Sequence, residues 1–173
     1  MKTIVVYKSK SGFSKKYASW IANELSADLF EHSNITIKEL ESYDTIIYGG
    51  GLYASGINGV KLITKNLHRL EDKRIVVFAS GASPPRKDDL EKVENNNFTK
   101  EQQKKIHFFY LRGGFDYNKL TPIDKLLMKL LKWRLKTKAT LTPDEKGMLA
   151  LYNIPTDFTK RKNIEEIILL VNS

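Results

Sequence analysis

Four short, unbroken runs of β-branched and aromatic residues punctuate the chain at intervals of about thirty to forty positions: Thr3-Ile4-Val5-Val6-Tyr7, Thr45-Ile46-Ile47-Tyr48, Arg74-Ile75-Val76-Val77-Phe78-Ala79 and Ile106-His107-Phe108-Phe109-Tyr110-Leu111. Runs of this length with no polar alternation suit strands buried on both faces of a parallel sheet. Residues 27–30 offer a fifth, shorter candidate. Between the runs lie stretches with helical spacing: residues 14–25 (Tyr17, Ala18, Ile21, Ala22, Leu25), residues 60–70 (Val60, Ile63, Leu67, Leu70) and residues 163–171. Residues 35–40 fit either type. Strands alternating with helices give βαβ units, whose crossovers are right-handed. The expected architecture is a doubly wound α/β sheet of five parallel strands in the order 2-1-3-4-5. In such sheets ligands sit beyond the carboxyl ends of the strands, beside strand 1. Function is therefore sought in the loops after strands 1, 3, 4 and 5.

With 173 residues and 41% hydrophobic content, the chain suits one domain over residues 1–173. No segment approaches the roughly 18 to 20 apolar residues of a membrane span, and the N-terminal apolar run reads as a strand, being too short for a signal peptide. The absence of cysteine excludes disulfides, thiolate metal sites, iron–sulfur clusters and cysteine nucleophiles, and leaves a cytoplasmic location as the expectation. No metal site is expected. His32, His68 and His107 stand isolated in the sequence, and no catalytic acid or base stands out.

The loop after the first strand, Ser9-Lys10-Ser11-Gly12-Phe13-Ser14, places hydroxyls at alternating positions around a permissive glycine and directly before a helix. Backbone N–H groups, hydroxyls and the helix N-terminus can converge there on an anion. The P-loop spacing is absent, and a single glycine is too few for a dinucleotide fingerprint. The same residues also suit an ordinary serine-rich turn with Ser14 as a helix cap. Residues 49–56, Gly49-Gly50-Gly51-Leu52-Tyr53-Ala54-Ser55-Gly56, read as a loop after the third strand, where glycines allow close backbone approach and positive φ. Ser80-Gly81-Ala82-Ser83 follows the fourth strand, continued by Pro84-Pro85-Arg86-Lys87, and Asn95-Asn96-Asn97 reads as a short polar loop.

The pattern [ST]-x-[ST]-G-x-[ST], carried here by Ser9, Ser11, Gly12 and Ser14, resembles the phosphate loop of the flavodoxins. That resemblance implies a flavin mononucleotide (FMN) whose phosphate is wrapped by residues 9–14, Lys10 and Phe13 included. It implies a flavin-ring loop at Gly51, Leu52, Tyr53 and Ala54, with Tyr53 stacked on the ring, and a second at Ser80, Gly81 and Ala82. Arg112, Gly113 and Gly114, after the fifth strand, complete the expected cofactor contacts.

About fifty residues then intervene before the last helix, and this insertion spans about residues 112–160. The net charge is +9, and residues 119–138 contribute +6 of it, with seven basic residues (Lys119, Lys125, Lys129, Lys132, Arg134, Lys136, Lys138) against Asp124 alone. Thr121-Pro122 is a helix start. At about 100° per residue, Ile123, Leu126, Leu127, Leu130 and Leu131 share a face opposite Lys125, Lys129, Lys132 and Lys136, with Met128 and Trp133 widening the apolar arc. Such a helix either packs its leucines on its own domain or lies on an anionic membrane surface.

The segment Arg112-Gly113-Gly114-x-Asp116-Tyr117, followed by a basic helix with Asp124 and Lys129, resembles the flavodoxin-fold, menaquinone-dependent protoporphyrinogen oxidases. The Gly49–Gly51 run and the Pro84-Pro85 loop depart from that pattern. This second resemblance implies an FMN-dependent oxidoreductase that oxidises protoporphyrinogen IX with a quinone acceptor at the inner face of the cell membrane, from residues 123–138 (Ile123 to Lys138). The other reading is an electron carrier of flavodoxin type, against which stands the basic surface, since such carriers are usually acidic. A lysine stripe beside leucines is not the interleaving of basic and aromatic residues expected of a nucleic-acid binder.

Overall fold

The central strands of the sheet turn alternate side chains to opposite faces, and both faces are covered. A computed structural model describes residues 1–53, 55–152 and 154–173. Strand β1 (Thr3–Lys8) leads into α1 (Phe13–Leu25), then β2 (Asp28–Glu31), α2 (Ile37–Leu40), β3 (Thr45–Tyr53), β4 (Gly56–Ile57), α3 (Lys61–Thr64), β5 (Arg74–Gly81), α4 (Lys87–Asn97), α5 (Lys100–Lys105) and β6 (Ile106–Arg112). Strands β2-β1-β3-β5-β6 pair in parallel in that order, which is the expected 2-1-3-4-5 arrangement, and β4 turns back antiparallel on the end of β3.

Ile4 and Val6 of β1 join Ile46, Tyr48, Ile75 and Val77 on one face, under Val60, Ile63, Leu67 and Leu70. Val5 and Tyr7 join Ile47, Val76 and Phe78 on the other, under Tyr17 and Ile21 of α1 and Ile167 and Val171 of the last helix. Each such side chain, wholly withdrawn from water, contributes about 1.5–3 kcal/mol.

Several local expectations give way to packing. The four apolar residues of 60–70 are buried as expected, yet only Lys61–Thr64 is α-helical and Leu67–Arg69 is a 3₁₀ turn. The ambiguous residues 35–40 hold a single helical turn, closed by a reciprocal cap between Thr36 and Glu39. The Asn95–Asn97 stretch is no loop but the last turn of α4. There Asn97 accepts from the Ile57 N–H (2.8 Å) and donates to the Ser55 carbonyl (2.8 Å), holding the β3–β4 turn in place.

The glycines Gly49, Gly50 and Gly51 lie inside β3 rather than in a loop, and none has positive φ. They are required by neighbours instead. A Cβ on Gly49 would fall inside the Phe78 ring, and one on Gly50 would stand 2.7 Å from the Asn58 carbonyl oxygen.

Beyond β6 the chain makes β7 (Gly114–Phe115), α6 (Pro122–Lys136), α7 (Pro143–Leu151) and β8 (Thr156–Asp157), then closes with α8 (Glu165–Asn172). Strands β7 and β8 pair antiparallel, so the excursion leaves and rejoins the sheet through one short ribbon. Tyr17 ties its two ends to α1: its hydroxyl donates to the Arg112 carbonyl (2.6 Å) and accepts from the Asn163 side chain (2.7 Å).

Helix α6 begins where the sequence places it, with Thr121 as cap and Pro122 in the first turn. Of the two dispositions open to its leucine face, packing on the domain does not hold for most of it. Ile123, Leu126, Leu127, Leu130 and Trp133 are 72%, 59%, 46%, 56% and 69% exposed, while Asp124 and Leu135 are buried. The stripe Asp124, Met128, Leu131 and Leu135, at spacings of four, three and four residues, is turned inward. On that stripe the Asp124 carboxylate meets the Lys10 ammonium at 3.0 Å.

Candidate functional site

The loops named by the switch-point rule meet at the carboxyl ends of β1, β3 and β5, and α6 roofs them. Between roof and sheet lies a cavity of about 830 Å³, within the range of about 300–1,000 Å³ usual for ligand sites. Of the residues singled out from the sequence, Lys10, Ser11, Phe13, Ser14, Gly51, Leu52, Tyr53, Ser80, Gly81, Ala82 and Gly114 line it. Gly113 lies behind, against Phe13, and a Cβ on Gly114 would stand 2.6 Å from the Phe13 ring. Arg112 faces a neighbouring cavity instead. Ala54 lies outside the described residues.

At the mouth of α1 the cap is Gly12, in the left-handed region at φ 93°, and not Ser14. Only glycine takes this conformation without strain. The Gly12 N–H donates to Ser9 Oγ (3.0 Å), which closes the loop on itself. No side chain caps the helix and its first turn holds no acid. The first amides of α1 therefore have no intrahelical acceptor, and with the Ser11 hydroxyl and the helix dipole beside them they make a cradle that can receive an anion. Ser14 sits deeper, where its hydroxyl shares a 2.7 Å hydrogen bond with that of Ser80 and joins the first loop to the third.

Lys10 reaches across the cradle to the insertion. Its ammonium stands 3.0 Å from Asp124 Oδ2 and 4.9 Å from the centre of the Tyr53 ring. Thr121 Oγ1 donates to the same carboxylate oxygen (2.8 Å) and accepts from the Asp124 N–H (3.2 Å). One clasp thus links the loop after β1, the end of β3 and the start of α6. Tyr53 is half exposed, with one ring face taken by Lys10.

The Thr121 hydroxyl first, and the Lys10 ammonium second, hold the Asp124 carboxyl below its ordinary range. A depressed carboxylate stabilises above the ordinary range, and that contribution is lost as pH falls through the depressed value. The difference in Tm between the wild type and Asp124→Asn is expected to stay level from about pH 8 to about pH 5 and to shrink below about pH 4. A difference unchanged at about pH 3 would contradict the clasp.

Asp124, Met128 and Leu131 were not among the residues singled out for the site, although the cap pattern Thr121-x-x-Asp124 was a signal for the first of them. His32 lies beside Tyr48, 3.4 Å from its hydroxyl, where burial and then Lys8 lower its pKa; His68 and His107 are exposed. Among the described residues no cluster of acids and histidines could hold a metal, and no helix is long and apolar enough to cross a membrane.

An uncharacterized protein of Methanocaldococcus jannaschii is 31% identical over 87 residues, 49% of this chain, and the chain spans about 57% of that relative's length. Among solved structures, oxidised flavodoxin 1 from Bacillus cereus aligns at 20% identity over 77% of this chain and 94% of its own, with a TM-score of 0.47. A flavodoxin from the domain Archaea aligns at 19% identity over 76% and 93%, with a TM-score of 0.42. Residues 4–142 match the family described as Flavodoxin domain. With most of its length inside that match, and with the strand order to go with it, the chain belongs to the flavodoxin domain family.

Proposed function

We propose that the protein is an FMN-dependent oxidoreductase that oxidises a small molecule held between the strand ends and the inserted helices. One observation carries the reading: residues of α6 line the same cavity as the anion cradle and Tyr53, so the insertion closes over the site. A carrier that meets protein partners at an open flavin edge has no use for such a roof.

The residues present fit FMN. Ser9, Ser11 and the first amides of α1 suit its phosphate, Tyr53 and Leu52 one side of its ring, and Ser80 to Ala82 the ring edge. When bound, FMN supplies redox chemistry that no side chain here can. The chain's part is to hold the phosphate, orient the ring and exclude water beneath α6.

The finer reading takes a porphyrinogen as the reduced substrate and a quinone as acceptor. The substrate gives up two electrons and two protons at a time, and the quinone takes them up to become a quinol. Support comes from the site's basic surroundings and from the outer face of α6. There Ile123, Leu126, Leu130 and Trp133 stand exposed, while Lys125, Lys129 and Lys136 form no ion pair among the described residues. An exposed apolar stripe edged by lysines is the signature of a helix lying in an anionic lipid surface, where a quinone also resides.

The function is tested by reconstituting the protein with FMN and adding a reduced porphyrinogen without oxygen. Bleaching of the flavin spectrum, reversed by a menaquinone analogue, is the expected result. A flavin that dithionite reduces but the porphyrinogen does not would reject this substrate. For the lipid surface, sedimentation with phosphatidylglycerol vesicles at low salt is expected. Neutralising Lys125, Lys129 and Lys136 should weaken it about 100-fold, at about 1 kcal/mol for each charge. Equal binding to neutral vesicles would contradict it.

A further inference from the structure

Beside the cofactor cavity lies a second one of about 440 Å³, bounded by the loop after β5, the end of β6, and helices α6 and α7. Both cavities are lined by Ala82, Pro84, Phe115 and Met128, so an occupant of the smaller borders the larger. Its walls are largely apolar: Phe115, Phe158, Met128, Pro84 and Pro143. Among them stands Arg112. Its Nε donates to the Ala82 carbonyl (3.2 Å), and its guanidinium lies 3.7 Å from the centre of the Phe158 ring. These two contacts fix the guanidinium plane, while its two Nη atoms have no acceptor among the described residues.

A guanidinium fixed by stacking and by one hydrogen bond, with its terminal fork unused, is prepared for a bidentate carboxylate. Its flexibility is already spent, so little further entropy is lost on binding. Asp89, the one acid among the described lining residues, is drawn toward Lys92 at 3.6 Å.

We propose that this cavity binds an aromatic carboxylate, with Arg112 clamping the carboxylate and Phe115, Phe158 and Met128 enclosing the ring. The position of Arg112 assigns it to substrate rather than to the cofactor. The proposal deepens the oxidoreductase reading: the bound molecule is the substrate class, delivered to the border of the cofactor cavity.

The test is calorimetric titration of the protein, with and without FMN, using 2-naphthoate, its neutral analogue 2-naphthamide, and inorganic phosphate as probes. Naphthoate should bind, and naphthamide and phosphate should each bind at least about tenfold more weakly. Arg112→Gln should weaken naphthoate by about 100-fold and Arg112→Lys, which keeps the charge but loses the fork, by about tenfold. Gly147→Phe provides an independent variant. A Cβ on Gly147 meets nothing within 4 Å, so the ring can fill the cavity without displacing the core, and naphthoate binding should disappear.

Gly147→Phe should take up FMN within about twofold of the wild type. Naphthoate binding that survives Gly147→Phe, or naphthamide binding equal to naphthoate, would overturn the proposal. Phosphate binding as tight as naphthoate would also overturn it. If the protein takes up no FMN but binds naphthoate through Arg112, the carboxylate site stands and the cofactor reading falls.

Discussion

Gly49→Ala is expected to lower stability by about 3 kcal/mol, at the upper end of the cost of overpacking a core. In a chain of this length that is a fall in Tm of about 6–12 °C. The added methyl would occupy the space of the Phe78 ring, which is fully buried and packed edge-on against Tyr17. Relief therefore has to come from Phe78 itself. Phe78→Leu alone leaves a void and destabilises, but combined with Gly49→Ala it should cost less than the two single changes added together, by about 1 kcal/mol or more. Thermal denaturation of the four proteins checks this. A Gly49→Ala protein with unchanged Tm, or strictly additive costs, would mean that the two positions do not meet.

Ser11→Glu is expected to reduce FMN affinity about 100-fold while leaving the fold within about 0.5 kcal/mol of the wild type. A carboxylate at the cradle repels the phosphate dianion, and the added side chain extends from a partly exposed position. Ser11→Ala, which removes only one hydroxyl donor, should cost about tenfold. Riboflavin, which lacks the phosphate, should bind both variants as it binds the wild type. Equal losses for FMN and riboflavin would place the effect on the ring and not on the cradle.

The parallel sheet was legible because its central strands are buried on both faces, and that demands apolar runs whatever lies around them. The switch-point rule then located the loops, and Ser11, Phe13, Ser14, Leu52, Tyr53 and Ser80 do converge on one cavity. Contacts between distant segments were not legible in the same way. Gly49 to Gly51 resemble a flexible loop in one dimension, but they are small because Phe78 and the Asn58 backbone press against them. Helix α4 is not legible in the sequence because it buries only Val93, which leaves almost no apolar period.

The start and length of α6 followed from Thr121, Pro122 and its spacing, whereas its rotation did not. A count of leucines turns Leu126 and Leu130 inward. In the structure they face out, and the inward stripe carries Asp124, paired with Lys10 across 114 positions. Hydrophobic periodicity weighs all apolar residues alike and has no means of registering a single buried carboxylate.

Paired titration of the protein with FMN and with riboflavin shows whether residues 9–14 hold the phosphate of a flavin. FMN is expected to bind at least about 100-fold more tightly than riboflavin, the difference being a phosphate held by several charge-assisted hydrogen bonds. Equal affinity for the two flavins, or no binding of either, would contradict it.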